Sequence, residues 1–210
     1  MENAIFSTAY LGPVHYYARL MQYGHVQIEQ YDSYQKQSYR NRCAIFGANG
    51  LLNLSIPIVK MHGQKTLVRD IEIDYATRWQ NNHWRSITSA YNSSPFFEFY
   101  APDFEPFFSK KWQFLIDFNM ELHGLIIEIL EIDTVCKLSQ TYEHLFNGDD
   151  YRELITPKTK RLLNPDNNFK PYPYTQTYSD KHGFIDNLSI VDLLFNTGPE
   201  SESVLKKSIL

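Results

Sequence analysis

The sequence is poor in cysteine and in long apolar runs, and it has no surplus of basic residues. Only two cysteines, Cys43 and Cys136, occur in 210 residues, and neither has a CxxC partner. We predict two free, buried thiols in a reducing cytoplasm, with a disulfide between them as the open alternative. The 20 basic and 24 acidic residues give a net charge of −4. This balance argues against a general nucleic-acid-binding protein, because such proteins carry a basic surface.

Signals for membranes and for several catalytic classes are also missing. Charges interrupt every apolar segment well before 18 residues, and the N-terminus lacks the basic and apolar regions of a signal peptide. We therefore predict a cytoplasmic protein without a membrane span. The sequence contains no HExxH, zinc-ligand spacing, GxSxG elbow, Walker loop or dinucleotide fingerprint. We predict neither a metal nor a cofactor.

Aromatic residues, in contrast, are abundant, with 15 Tyr, 14 Phe and 3 Trp. Hydrophobic residues make up 43% of the chain, which is enough for a core that needs neither metal nor disulfide. Most aromatics are expected in that core, while some tyrosines would suit the wall of a pocket. Length and the absence of repeats predict a single domain over residues 1–210.

The N-terminal pattern predicts a βαβ-like unit. A strand candidate at residues 5–11 is followed by Gly12-Pro13, a helix that ends at Gly24 and an alternating strand at residues 25–30. Two β-type runs then predict a hairpin, with Asn49 and Gly50 at its positive-φ positions. Further on, the pattern predicts a polar loop at 60–65, a strand at 68–74, and helices at 81–91, 107–131, 141–146 and 187–196. We predict an α/β domain with a mixed sheet, the βαβ-like unit, the hairpin and a helical C-terminal half.

A dense polar stretch at residues 34–43 (YQKQSYRNRC) is the first candidate for a binding site. It places Lys36, Arg40 and Arg42 close together, with Asn41 between the arginines, just before an apolar run. Arginine offers a bidentate fork to phosphate or carboxylate and lysine a point charge. Asn41 would orient a neutral polar group. The alternative is a solvated approach to the strand with ordinary ion pairs.

Histidines supply the candidates for proton transfer. His83 lies in a predicted helix, and the pKa of a histidine is easily poised near neutrality; a hydrogen-bonded structural histidine is the alternative. His15 follows the first strand, where a parallel sheet places its ligand crevice; an exposed or capping histidine is the alternative. Further candidates for substrate contacts are Tyr91, Asn187, Asp192 and Asn196. Asn187 is also predicted to cap the last helix.

Residues 156–178 lose all periodicity, and a loop of this length inside a compact domain suggests a function. The segment at 171–174 (PYPY) would be extended and stiff. We predict a lid or strap that covers a pocket, with a simple surface crossing as the alternative.

The chain resembles the WbqC-like family of bacterial proteins. The matching segments are 8–13 (TAYLGP), 34–43, 70–75 (DIEIDY), Trp79, 83–87 (HWRSI), 90–91, 111–119 and 187–199 (NLSIVDLLFNTGP). The resemblance implies an association with surface-polysaccharide, or O-antigen, biosynthesis, and hence with nucleotide-sugar or amino-sugar chemistry. It implies no reaction type and no catalytic residues.

Together these features predict a small enzyme that modifies an activated sugar or a similar anionic metabolite, with a transferase as the class considered. The competing hypothesis is a non-catalytic binding or scaffold subunit that recognises a glycan precursor, a carrier or a partner enzyme. RNA binding through Arg and Tyr stacking is a third hypothesis, which the net negative charge disfavours. No pattern in the sequence predicts an oligomeric state.

Overall fold

A parallel sheet and a separate hairpin make up the β-structure. The computed structural model describes residues 3–59, 66–158 and 165–210, and the predicted polar loop at 60–65 lies outside these residues. The parallel sheet has the order β5-β2-β1-β6 and consists of β1 (Asn3–Ser7), β2 (His25–Glu29), β5 (Val135–Leu138) and β6 (Asp149–Asp150).

The predicted βαβ-like unit is confirmed. Strand β1 leads into helix α1 (Val14–Leu20), which returns the chain to β2, and β1 and β2 pair in parallel from Asn3↔His25 to Ser7↔Glu29. Strand β1 ends at Ser7, earlier than the predicted residue 11. Beyond it the backbone turns away, and the Tyr10 N–H donates to the Tyr39 carbonyl of the polar stretch.

The strand order creates a crevice beside β1. Strands β2 and β5 extend the sheet in one direction from β1, whereas β6 lies on its other side. In open parallel sheets, ligands bind beyond the carboxyl ends of the strands at the point where the strand order reverses. Here that point lies between β1 and β6.

The predicted hairpin is also present. Strands β3 (Arg42–Gly47) and β4 (Gly50–Ser55) pair antiparallel from Arg42↔Ser55 to Gly47↔Gly50. The loop residues are Ala48 and Asn49, and only Gly50 takes the expected positive φ, at 98°. The predicted positive φ is confirmed for Gly50 and is wrong for Asn49. Gly50 closes the strand pair instead of occupying the loop.

Within the described residues six helices follow the hairpin, and four of them lie in the C-terminal half, where helices were predicted. They are α2 (Trp79–Tyr91), α3 (Phe97–Phe104), α4 (Leu115–Ile129), α5 (Ser179–His182), α6 (Ile190–Thr197) and α7 (Ser201–Lys207). Helix α6 contacts α1, α2, α3, α7 and β3. Its Phe195 packs edge-on against the rings of Tyr91, Phe97 and Phe104. So short a helix is stabilised mainly by this tertiary packing.

The predictions of a strand at 68–74 and of a helix from residue 107 are wrong, because parts of these two segments pair with each other. Residues 68–74 form a 3₁₀ turn (Val68–Asp70) and then an extended stretch, and helix α4 begins at Leu115 instead of residue 107. The Ile73 N–H donates to the Gln113 carbonyl, and the Leu115 N–H donates to the Ile71 carbonyl. This pairing holds residues 113–115 extended and prevents the helix from starting earlier.

Two smaller predictions also fail. Residues 141–146 are not helical, and the Glu143 carbonyl accepts a hydrogen bond from the Arg152 guanidinium instead of from a helical N–H. Helix α6 begins at Ile190 with Ser189 at its N-cap position, so Asn187 does not cap this helix. Asn187 takes a φ of 49°, which turns its side chain to another helix.

Candidate functional site

A cavity of about 720 Å³ lies beyond the carboxyl ends of β1 and β6. His15, at the start of α1, and Leu154 and Pro157, which follow β6, line one side. The hairpin contributes Arg42 and Asn53. Segments 165–171 and 185–188 complete the wall. The cavity therefore occupies the place where an open parallel sheet binds its ligands.

A hydrogen-bonded cluster of three side chains surrounds His15. Its Nε2 lies 2.7 Å from Asp166 Oδ2, and Arg19 Nε donates to the same oxygen at 2.6 Å. The Arg19 Nη2 also pairs with Asp166 Oδ1. All three side chains are at least nine-tenths buried. His15 and Arg19 can share Asp166 because they lie four residues apart on one face of α1.

The charges of this cluster fix the protonation of His15. Burial would raise the pKa of Asp166, but the hydrogen bonds from Arg19 and His15 outweigh burial and leave that pKa below its usual value. Burial lowers the pKa of His15 against the attraction of Asp166. An ionised carboxylate only accepts, so Nε2 of the neutral imidazole carries the hydrogen. The lone pair lies on Nδ1, which has no hydrogen-bond partner among the described residues.

Segment 165–171 holds His15 from a second side. The ring of Phe169 stacks on the His15 ring with centroids 4.0 Å apart and planes 14° apart. The Lys170 N–H donates to the Ser208 carbonyl, which anchors this segment to the end of α7. The predicted strap at 156–178 thus contributes Asp166, Phe169 and Pro171 to the cavity wall, and residues 159–164 lie outside the described residues. Its role as a lid stays a prediction.

The polar stretch at 34–43 does not act as one clamp. Arg42 lines the cavity, and its buried Nε has no hydrogen-bond partner within the described part of the chain. Arg40 is buried and donates to Asp32 at 2.8 Å. Asn41 is buried and donates to the Ile56 carbonyl at 2.8 Å. Lys36 is exposed. Its backbone carbonyl accepts a hydrogen bond from the Lys158 ammonium, and its side chain forms no hydrogen bond with the described residues. The structure brings Arg42 to His15, and it places the other three residues elsewhere.

His83 also lies away from this cavity. It is buried between Tyr10 and Trp79, and its Nδ1 is 2.9 Å from the Tyr10 hydroxyl. Burial lowers the pKa of His83 to about 4, against a smaller opposing effect of the Ser55 backbone. At neutral pH the ring is therefore uncharged and packed among aromatic side chains.

Tyr91, Asp192 and Asn196 form a second buried cluster within α2, α6 and the segment before α5. Asp192 is fully buried and accepts hydrogen bonds from Tyr91 at 2.9 Å and from Tyr174 at 2.7 Å. Gln176 donates to the same carboxylate at 2.9 Å. The Asn196 amide donates to the Asp192 carbonyl at 2.7 Å. None of these residues lines the cavity beside His15.

Asn187 lies in the wall of the His15 cavity and binds the start of α1. Its Oδ1 accepts from the His15 N–H at 3.0 Å, and the residue lines the cavity. The neighbouring Leu188 carbonyl accepts from the Val14 N–H. Segment 187–188 therefore satisfies two N–H groups at the start of α1 that have no partner inside the helix.

Sequence patterns missed several residues of this site. Asp166 and Phe169 lie in the aperiodic segment, where nothing indicates which side chain turns inward. Arg19 carried a usable signal, because its spacing of four from His15 on a predicted helix places both on one face. Asn53 lies on β4, whose alternation indicates a hairpin but not which face meets a cavity.

Both cysteines are free, and Cys43 lines the cavity. Burial raises the pKa of the Cys43 thiol far above its usual value, so it is not a thiolate at neutral pH. Burial likewise raises the pKa of Cys136 to about 12. Within residues 3–59, 66–158 and 165–210, no group of three or more histidine, cysteine, aspartate or glutamate side chains is arranged to hold a metal ion. Over the same ranges, every helix is too short or too polar to cross a membrane.

The fold and the cavity together define a small α/β protein with a ligand-sized cavity at the carboxyl edge of a parallel sheet. The model of the WbqC-like protein family matches residues 8–204, and the chain therefore belongs to this family. The chain is also similar to the uncharacterized protein Rv1507c of Mycobacterium tuberculosis, at 26% identity over 204 residues, which covers 82% of this chain and 84% of the relative. No solved structure matches the chain at a significant level.

Proposed function

We propose that the protein is an enzyme that transfers a group to a hydroxyl or amine of an anionic small molecule, with His15 as the general base. One observation carries the proposal. His15, held by Asp166, lines the same cavity as Arg42, whose buried Nε has no partner among the described residues. A base with a lone pair on Nδ1 and a guanidinium whose Nε lacks a partner are two groups that such a reaction uses.

In this proposal the residues around His15 have separate tasks. Asp166 and Phe169 hold the imidazole by a hydrogen bond and by stacking, so that Nδ1 keeps its lone pair. In the transfer step, Nδ1 takes the proton of the attacking oxygen or nitrogen. That atom forms the new bond to the transferred group, and the leaving group of an activated donor departs with its bonding electron pair. The lowered pKa of His15 keeps the base unprotonated at neutral pH.

Arg42 favours an anionic group on the substrate. Its guanidinium can bind phosphate or carboxylate through two parallel hydrogen bonds, and such charge-assisted bonds are the strong ones. The cavity volume of about 720 Å³ falls within the range of ordinary small-molecule sites. Resemblance to the WbqC-like family supports activated sugars as the first substrates to test.

Thermal unfolding in the presence of nucleotide sugars, sugar phosphates and free nucleotides tests the binding step. A ligand at 100 times its dissociation constant should stabilise the fold by about 2.7 kcal/mol. Arg42→Gln should weaken binding by about tenfold or more, because a charged hydrogen bond is worth about 1.5–3 kcal/mol. Arg78→Gln is the matched control, since Arg78 is exposed at the start of α2 and does not line the cavity. If none of these anions stabilises the protein, the proposal is wrong.

A binding protein without catalysis is the second candidate, and one observation favours it. Phe169 covers one face of His15, and Asp166 is shared with Arg19, an arrangement that would also serve a purely structural link. His15→Gln distinguishes the two functions. An enzyme should keep its ligand affinity in this variant and lose turnover by about 100-fold or more with acyl or glycosyl donors. A binding protein should give no turnover in the unmodified chain either.

A further inference from the structure

The His15 cavity contains a carboxylate that the contacts around His15 do not use. Asp186 is accessible and lines the cavity together with Arg42. Within the described residues neither of these two side chains forms an ion pair, with each other or with a third residue. The Asp166 carboxylate, in contrast, is paired with Arg19. The described part of the cavity therefore presents one negative and one positive side chain that are both open to a ligand.

The backbone on both sides of Asp186 is held by hydrogen bonds. The Ile185 N–H donates to the side-chain oxygen of Gln176 at 2.9 Å, and the Gln176 amide donates back to the Ile185 carbonyl at 2.8 Å. Gln176 is itself buried. On the other side, the Asn187 side chain accepts from the His15 N–H at 3.0 Å. Asp186 therefore stands on a fixed backbone, directly beside a residue that is bound to His15.

Arg42 also stands on a fixed backbone. It is the first residue of β3 and pairs with Ser55 of β4. Its buried Nε has no hydrogen-bond partner within the described part of the chain, and a buried donor without a partner costs free energy. Opposite charges attract strongly at short range in a partly buried site. Because the hairpin holds Arg42 and segment 185–187 holds Asp186, the two charges stay separate.

Tyr39 lies between these features in the cavity wall. Burial raises the pKa of Tyr39 to about 12, with further contributions from Cys43 and Asp186. The Asp186 carboxylate is therefore within electrostatic reach of a hydroxyl that is neutral at physiological pH. A neutral phenol can donate to an anion and can also accept from an ammonium group.

We propose that the anionic ligand of this cavity also carries a primary amine, with its phosphate or carboxylate at Arg42 and its ammonium group at Asp186. This inference rests on the proposed function and narrows its substrate class to zwitterions. Asp186 is the specificity-determining residue, because it favours an amine over a hydroxyl at the same position of the ligand. The volume of about 720 Å³ is sufficient for a ligand that reaches both side chains.

Titration calorimetry of the full chain with two matched pairs of compounds tests the proposal. Glucosamine 6-phosphate and glucose 6-phosphate differ only by an amine in place of one hydroxyl. We expect the amine to bind about tenfold more tightly, because a hydrogen bond between charged groups is stronger than one between neutral groups. Glucosaminate and gluconate repeat the comparison with a carboxylate in place of the phosphate. A preference for the amine in either pair supports the proposal, and the tighter pair identifies the anion.

Three variants assign the preference to its residue. Asp186→Asn should reduce the preference to about twofold or less, and an unchanged affinity for glucose 6-phosphate shows that its cavity is intact. Asp180→Asn is the matched control, since Asp180 is an exposed carboxylate of α5 outside the cavity, and it should keep the full preference. Arg42→Gln should weaken both members of a pair by about the same factor.

Two results would overturn the amine site. One is equal affinity for the two members of both pairs in the unmodified chain, and the other is a preference that persists in Asp186→Asn. If the compounds still bind in these cases and Arg42→Gln weakens them, the proposed function stands without the amine site. If none of the four compounds binds, the amine site and the proposed function both fail.

Discussion

The Asn187 side-chain oxygen accepts a hydrogen bond from the His15 N–H at 3.0 Å, across 172 residues of chain. Asn187 also takes a φ of 49°, a left-handed conformation that asparagine tolerates better than most residues. One residue thus fixes the start of α1 and a wall of the His15 cavity. The prediction that Asn187 caps the last helix is wrong; its side chain instead accepts from an N–H at the start of the first helix.

Substitution of Asn187 tests this link. Asn187→Ala should lower the free energy of unfolding by about 2 kcal/mol, about half from the lost cap and half from the left-handed backbone. Asn187→Gly loses the cap but tolerates the backbone conformation, so it should cost less. Urea unfolding of the three proteins gives the order, and an alanine variant as stable as the glycine variant would contradict the assigned strain.

Asp192 should make the protein less stable as pH rises through weak acid. Burial raises the pKa of Asp192 to about 6, although hydrogen bonds from Tyr174, Tyr91 and Gln176 lower it in part. Between about pH 4 and pH 6 the folded state keeps a proton that the unfolded state has lost. The contribution of this group to the free energy of unfolding therefore falls by about 3 kcal/mol across that window.

Asp192→Asn isolates this contribution, since an amide does not titrate. Urea unfolding from pH 4 to pH 7 should show a more positive slope of stability against pH in the variant than in the unmodified chain. Identical slopes would mean that Asp192 titrates in the folded protein as it does in the unfolded one.

Two buried histidines should act in the opposite direction. Burial lowers the pKa of His83 and of His123 to about 4. Between about pH 6.5 and pH 4 the unfolded state binds protons that the folded state does not, so stability is lost as pH falls. His123→Gln should remove about one proton from the acid-unfolding transition. The number of protons taken up on unfolding, obtained from stability against pH, measures this change, and an unaltered number would refute it.

Two glycines give a pair of alanine substitutions with opposite signs. Gly198 has a φ of 54°, and a Cβ there would lie 2.5 Å from the Phe96 ring. Gly198→Ala should therefore destabilise by about 2 kcal/mol or more. Gly124 lies within α4, and a Cβ there meets nothing within 4 Å. Gly124→Ala should stabilise by about 0.5–1 kcal/mol. Thermal unfolding compares the two, and a stabilised Gly198→Ala would contradict the described contact.

Periodic segments were predictable because their apolar spacing reports one buried face. This holds for the βαβ-like unit, the hairpin and α2, where His83, Ile87 and Tyr91 are buried on one side. It fails at residues 107–114, because the apolar Phe107 and Trp112 continue the helical stripe, although Phe107 lies in a 3₁₀ turn (Glu105–Phe108) and residues 109–114 are not helical. Pairing between residues 71–73 and 113–115 overrides the helical pattern there, and no local signal announces it.

The candidate site was predictable only in part. His15 and Arg42 stand out in the sequence because a charged or titratable side chain lies at the edge of a periodic element. Arg40 looked equivalent to Arg42, but its partner Asp32 lies eight residues earlier in an aperiodic stretch. Asp166 is the carboxylate that orients His15, and its position depends on chain packing over 151 residues.

The two-residue strand β6 has a consequence for synthesis of the chain. Ala4 of β1 pairs with Asp149, so one edge of β1 stays open until most of the protein has left the ribosome. An open apolar strand edge is a template for wrong pairing, and contacts between distant residues form slowly. Fragments that end before residue 149 should therefore aggregate through β1, whereas the full chain closes that edge with its own late segment.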